Sequence, residues 1–156
     1  MPEIAKIESI ITDIFTSSKD SDPVVYAHII TVSRFCGFLA LRRGVDSEKA
    51  VAAGLLHDVY TLKTGISEAH ALRGGEMARE LLSGIYPDEV IDEIAEAVSL
   101  HSAKTVVHFP LAEVLKDADT LAHVMSDLAD PSLEVRDIEK ERLARLKEEL
   151  GFAAQP

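Results

Sequence analysis

Residues 50–60 read AVAAGLLHDVY, an apolar run that ends in an adjacent imidazole and carboxylate, His57 and Asp58. A buried carboxylate without a partner is costly to desolvate, and a divalent cation turns that cost into a favourable bond. Neighbouring residues on a helix point about 100° apart, so both can reach one ion only near a helix end, with the ion wedged between helices.

Outward from this run, caps, prolines and glycines punctuate the chain as helices. The helix carrying the run opens at Asp46 or Ser47 and ends near Val59. Before it, one helix is expected over about residues 3–16 and a second from Asp22-Pro23 to Gly44, with Val25, Ile29, Val32, Phe35, Cys36 and Leu39 along one face. Residues 60–66 are expected to form a loop, after which Ser67 caps a fourth helix that runs through Leu82 and is closed by Gly84. Pro87 begins a fifth, whose stripe of Ile91, Ile94 and Val98 continues onto His101. Pro110 starts a sixth, to about Leu128, with Leu111, Leu115, Ala118, Ala122 and Met125 as its buried side and Asp119 beside them. The last, Ser132 to Leu150, mixes charges on most faces, as a solvent-facing closing helix would. The pattern predicts an all-α, single-domain bundle of about seven helices over residues 1–156, with a core at 24–126, a C-terminal helix at 132–150 and no strands.

The chain has 156 residues, 47% hydrophobic and 28% charged, which is ordinary globular composition and excludes disorder. A formal charge of −11 argues against a broad grip on a nucleic acid polymer or an acidic membrane, and leaves small anions if local cations or a metal offset the field. The lone Cys36 suits a reducing compartment, and the N-terminus lacks the basic and apolar regions of a signal peptide, so a cytoplasmic location is expected. No apolar run is expected to approach the roughly 18 residues of a membrane span. A homodimer through an apolar helix face is compatible with this size.

Neither G-x-S-x-G, nor a Walker loop, nor G-x-G-x-x-G, nor C-x-x-C occurs, so the chemistry rests on histidine and carboxylate. His28 offers an imidazole from the second helix, and Asp119 in LKDADTLAH a carboxylate from the sixth. With His57 and Asp58 they make a mixed N/O set suited to Mn, Fe, Zn, Co or Ni, and a metal-bound water of lowered pKa is the nucleophile that phosphoester hydrolysis needs. His108 and His123 read as structural, although His123 falls one turn after Asp119 and is placed to orient it or to contact substrate.

The order His28, His57-Asp58, Asp119 on a helical scaffold, with AAGLLHDV and DADTLAH as local contexts, resembles the HD superfamily of metal-dependent phosphohydrolases from about Tyr26 to Met125. The resemblance implies one or two divalent ions, Mg included among the candidates. The family's A-D-x-L setting makes Asp119 the ligand and leaves Asp117 in support. His70 in HALRGGEMARELL looks like the H-x-x-x-G segment that donates to a second ion, and His101 looks like its companion. The family pattern then implies that Asp58 bridges, with His28, His57 and Asp119 on one ion and His70 and His101 on the other. Two departures stand out: His101 is followed by Ser102 rather than a second His, and HDVYTLK replaces the common H-D-I-G-K.

The function expected is hydrolysis of a nucleotide or other small phosphate ester. Asp58 and Lys104 are the catalytic candidates, and Lys63, Arg73 and Lys104 are the cations nearest the motifs for phosphate oxygens. The six-ligand set also resembles dinucleoside tetraphosphate hydrolases and mixed-valent diiron oxygenases of the same scaffold. A non-catalytic effector-binding domain is the third reading.

Overall fold

The computed structural model describes residues 2–127 and 136–152, which contain eight α-helices and no strand. They are α1 (Pro2–Ser17), α2 (Pro23–Arg43), α3 (Ser47–Leu56), α4 (Val59–Thr64), α5 (His70–Leu82), α6 (Asp88–Leu100), α7 (Pro110–Asp127) and α8 (Asp137–Leu150). The expected sixth-helix end at Leu128 and last-helix start at Ser132 lie outside the described residues.

The Asp22 carboxylate accepts from the Val24 N–H at 2.8 Å and Pro23 starts α2, which ends at Gly44 in the left-handed region, φ 67°. Asp46 caps α3 by accepting from the Glu48 and Lys49 N–H groups at 3.0 and 3.1 Å. α3 is the central element, buried from Ala50 to His57, with α2, α6 and α7 packed around it. Gly54 permits the α2–α3 contact, since a Cβ there would sit 2.6 Å from Ser33 Cα. α1 buries Ile4, Ile7 and Ile11 against this core.

Four expectations are corrected. The loop at 60–66 is instead α4, held by Leu62 N–H to Asp58 carbonyl (2.9 Å) and by burial of Val59 and Leu62; α3 accordingly stops at Leu56 rather than near Val59. The helix expected from Ser67 begins at His70, and Ser67 serves it through its carbonyl. Met125 is exposed, because α7 turns that face past the core's edge. α8 is not simply solvent-facing: it buries Glu139, Arg142, Leu143 and Leu146.

By length and composition α2 could also cross a membrane, contrary to the expected absence of such a run; here its Ile29, Val32, Cys36 and Leu39 face is buried in the core.

Candidate metal centre

Helix ends deliver most of the site. His57 closes α3 and Asp58 precedes α4, so the break between them turns consecutive side chains into one space. His70 is the first residue of α5 and His101 the residue that ends α6. His28 and Asp119 come from within α2 and α7.

The six converge around Asp58. Its Oδ2 lies 3.3 Å from His57 Nε2 and 3.9 Å from His28 Nε2. Its Oδ1 lies 3.4 Å from His70 Nε2 and 3.5 Å from His101 Nε2. Asp119 Oδ1 stands 2.9 Å from His28 Nε2 and 3.8 Å from His57 Nε2. One ligand atom from each of His28, His57 and Asp58 falls within 4.8 Å of the others, and the same holds for Asp58, His70 and His101.

Ring orientation is fixed from behind. The Nδ1–H of His57 donates to Gly54 carbonyl (2.8 Å), that of His70 to Ser67 (2.8 Å) and that of His101 to Val98 (2.7 Å). Such bonds select the tautomer whose Nε2 lone pair faces the centre, the usual support for a metal-binding imidazole. His57 Nε2 and Asp58 Oδ1 are buried without a hydrogen-bond partner. An unpaired buried acceptor costs about 1–3 kcal/mol; a cation on the His28/His57 side would satisfy the first and one on the His70/His101 side the second, so the residues present fit one or two divalent ions.

Charge in the cluster is tightly balanced. Burial disfavours the His57 imidazolium, yet with no cation bound the Asp58 carboxylate and then Asp119 overcome it and push the group up to about 9, so a metal there would take the place of the Nε2 proton. Burial would raise Asp58, but His57 and His101 hold its carboxyl well below the usual range. Burial likewise opposes ionisation of Asp119, which Lys104, His28 and His57 keep far below its ordinary value. His101 is driven down, chiefly by burial. Both carboxylates are thus held ionised, the form that binds metal.

The cations fall differently. Lys104 reaches the site, but its buried Nζ donates to Asp119 Oδ2 (2.7 Å), Glu139 Oε1 (3.1 Å), Thr120 Oγ1 (3.2 Å) and Lys116 carbonyl (3.3 Å). Its charge is committed to protein acceptors rather than offered to a phosphate. Lys63 and Arg73 do not line the cavity: Lys63 is exposed in a recess with Ile14 and Ser18, and Arg73 pairs with Glu76 on the outer face of α5. Asp117 does not support the ligands either, because it is held by Arg43 (2.7 Å) and Arg142 (2.8 Å). His108 contacts Lys116 outside the site.

Two wall residues escaped the sequence, and a third was only half read. His123 stacks on His28, ring centroids 4.8 Å apart, with Nε2 3.5 Å from Asp119 Oδ1; its spacing of four from Asp119 is the signal that marked it. Arg136 lines the cavity opposite His70 and His101, and Glu139 holds Lys104 and His123 from behind. Nothing in the mixed charges of α8 distinguishes these last two.

Comparison with known proteins agrees with this geometry. The chain is 30% identical over 99 residues to Ribonuclease Y of Nitratidesulfovibrio vulgaris (strain DP4), covering 63% of this chain and 18% of that protein. It is 33% identical over 111 residues to Ribonuclease Y of Lactobacillus gasseri, covering 70% and 19%. The chain therefore matches less than a fifth of the length of these curated relatives. A crystal structure described as a predicted HD superfamily hydrolase from an uncultured Thermotogales bacterium superposes with a TM-score of 0.62 at 24% identity, covering 94% of this chain and 88% of that one, which shows the shared fold. The HD domain family model matches residues 25–123, the span that carries all six candidate ligands, and the chain belongs to the HD domain family.

Proposed function

We propose that the chain is a divalent-metal-dependent phosphohydrolase acting on a small phosphate ester, with nucleotides the foremost class. The observation that carries this reading is Asp58, whose two oxygens face two separate imidazole groups, His28/His57 and His70/His101. Bound at such a site, divalent metal supplies a water of lowered pKa as nucleophile and polarises phosphoryl oxygens. Asp58 ties the two halves together, and Asp119, clamped by Lys104, presents one oxygen to the first half. Arg136 lines the cavity with its Nε given to Glu139 (2.9 Å) and its side chain still largely exposed, so it is the lining cation that can add phosphate oxygens as acceptors, and Thr61 and Ser102 line the same cavity.

The Ribonuclease Y relatives bring phosphodiesters into the substrate range, whereas a charge of −11 disfavours a long RNA. The test is a panel of nucleotides, generic phosphomonoesters, phosphodiesters and a short RNA oligonucleotide, each with Mn, Co, Ni and Mg. Asp58→Ala is expected to lose bound metal and to lower turnover by on the order of 10²–10³-fold. Full activity in that variant removes the assignment, and bound metal without turnover on any ester favours an effector-binding domain.

A second reading, a diiron oxygenase, is favoured by the arrangement of His28, His57 and Asp119 on one side and His70 and His101 on the other of the shared Asp58, a donor set of four His and two Asp that suits iron. Oxygen consumption by iron-loaded protein supports it, and inertness to oxygen with iron bound rejects it.

A further inference from the structure

The outer helix α8 sends one fully buried carboxylate into the back of the centre. Glu139 is 1% exposed, and its Oε1 accepts from Lys104 Nζ (3.1 Å) and Thr120 Oγ1 (3.2 Å) and lies 3.0 Å from His123 Nδ1, which Arg136 Nη2 also approaches at 2.6 Å, while Oε2 accepts from Arg136 Nε (2.9 Å). Lys104 passes the linkage on, donating to Asp119 Oδ2 at 2.7 Å and leaving Oδ1 toward His28 and His57.

Without Glu139, Lys104, Arg136 and Asp119 carry one net positive charge; with it, the four groups are neutral beside the space a cation would fill. A buried Lys held by one carboxylate alone would also be free to draw Asp119 away from the ligand position. The same atom holds the Nδ1 side of His123, whose ring stacks on His28.

We propose that Glu139 is a positioning residue of the metal centre, and that docking of α8 and binding of divalent metal are thermodynamically coupled. The inference rests on the metal reading of the site, though not on which reaction the site performs. Coupling is reciprocal: whatever factor α8 docking contributes to metal affinity, metal must return to α8 docking.

The test uses the full chain and a titration of Mn²⁺ or Co²⁺ followed by calorimetry, with amide hydrogen exchange over residues 137–150. Glu139→Gln keeps size and an acceptor but removes the charge, and is expected to weaken metal binding by roughly tenfold or more, as loss of outer support to a ligand does. Leu146→Ala, which loosens buried apolar packing of α8 without touching the centre, is expected to weaken metal in the same direction. It also keeps the inference testable if Glu139→Gln does not fold. Saturating metal is expected to slow exchange across α8 in the wild type. Glu141→Gln, an exposed change of equal charge on the same helix, is expected to leave affinity unchanged.

A purely structural Glu139 would lower the melting temperature while metal affinity, measured well below the melt, stayed at the wild-type value; that outcome overturns the proposal. So does α8 exchange indifferent to metal. Wild-type protein that binds none of Mn, Co, Ni or Zn overturns the metal reading itself, a result distinct from unchanged affinity in the variant.

Discussion

Ala69 sits at φ 53°, the described chain's one non-glycine residue with positive φ, immediately before the candidate ligand His70. The turn lets the Ser67 carbonyl accept from both the backbone N–H (3.3 Å) and the Nδ1–H (2.8 Å) of His70, which aims Nε2 inward. A left-handed alanine costs roughly 1–2 kcal/mol, so Ala69→Gly is expected to raise stability by about 1 kcal/mol in denaturant titration, with metal affinity kept. Lower stability would show that the turn stores no strain. At this scale most of the candidate ligands were legible as polar residues set in apolar periodicity: His57 and Asp58 after AVAAGLL, Asp119 between Leu115 and Ala122, His101 at the end of the stripe through Val98; His70 was marked only by the family resemblance of HALRGGEMARELL. The cations were not, because nearness along the chain is not nearness in space. Lys63 and Arg73 follow ligands closely in sequence yet project away from the cavity, and Lys104 arrives there with its charge already shared between two carboxylates.

At the scale of elements, the break between α3 and α4 decides the geometry. Had α3 run on to Val59, His57 and Asp58 would have pointed about 100° apart. The one-residue-scale punctuation that places helix starts at Asp22, Asp46 and Pro110 carries no sign of this break, since Val59 and Leu62 stay apolar and helical across it and only Gly65, at φ 70°, ends the run. Gly54 holds the other side of the arrangement. It lets α3 approach Ser33 of α2, and its carbonyl anchors the His57 ring. A methyl group there meets the Ser33 backbone of α2 at 2.6 and 3.0 Å, which no side-chain rotation can relieve, so Gly54→Ala is expected to destabilise by about 1–3 kcal/mol and to weaken metal binding through His57. Gly37→Ala on α2 meets only the Val51 Cγ2 methyl at 3.0 Å and is expected to cost less. Equal losses in chemical denaturation would contradict the backbone origin of the effect.

Across the whole molecule, an acidic chain gathers much of its positive charge where α2, α7 and α8 meet. Arg142 donates to Glu113 and Asp117, both at 2.8 Å, and Arg43 pairs with Asp117 (2.7 Å) and Glu149 (2.6 Å), so the last helix is fastened to the bundle by ions as well as by Leu143 and Leu146. Glu113 is the group whose titration reports on this fastening. Burial would raise its carboxyl, but Lys116 (2.8 Å), Arg142 and the His108 backbone N–H (3.0 Å) together bring it down to about 2 from 4.5. Because the folded value lies below the unfolded one, the stabilisation is fully present above about pH 4.5 and is lost as pH falls toward 2. Glu113→Gln should therefore be less stable than the wild type at pH 7, by on the order of 1 kcal/mol, since solvent still screens the carboxylate. The gap between the two melting temperatures should narrow steadily below pH 4.5 and close near pH 2; a gap constant over that range would mean that the carboxylate's charge contributes nothing to holding α7 and α8 together.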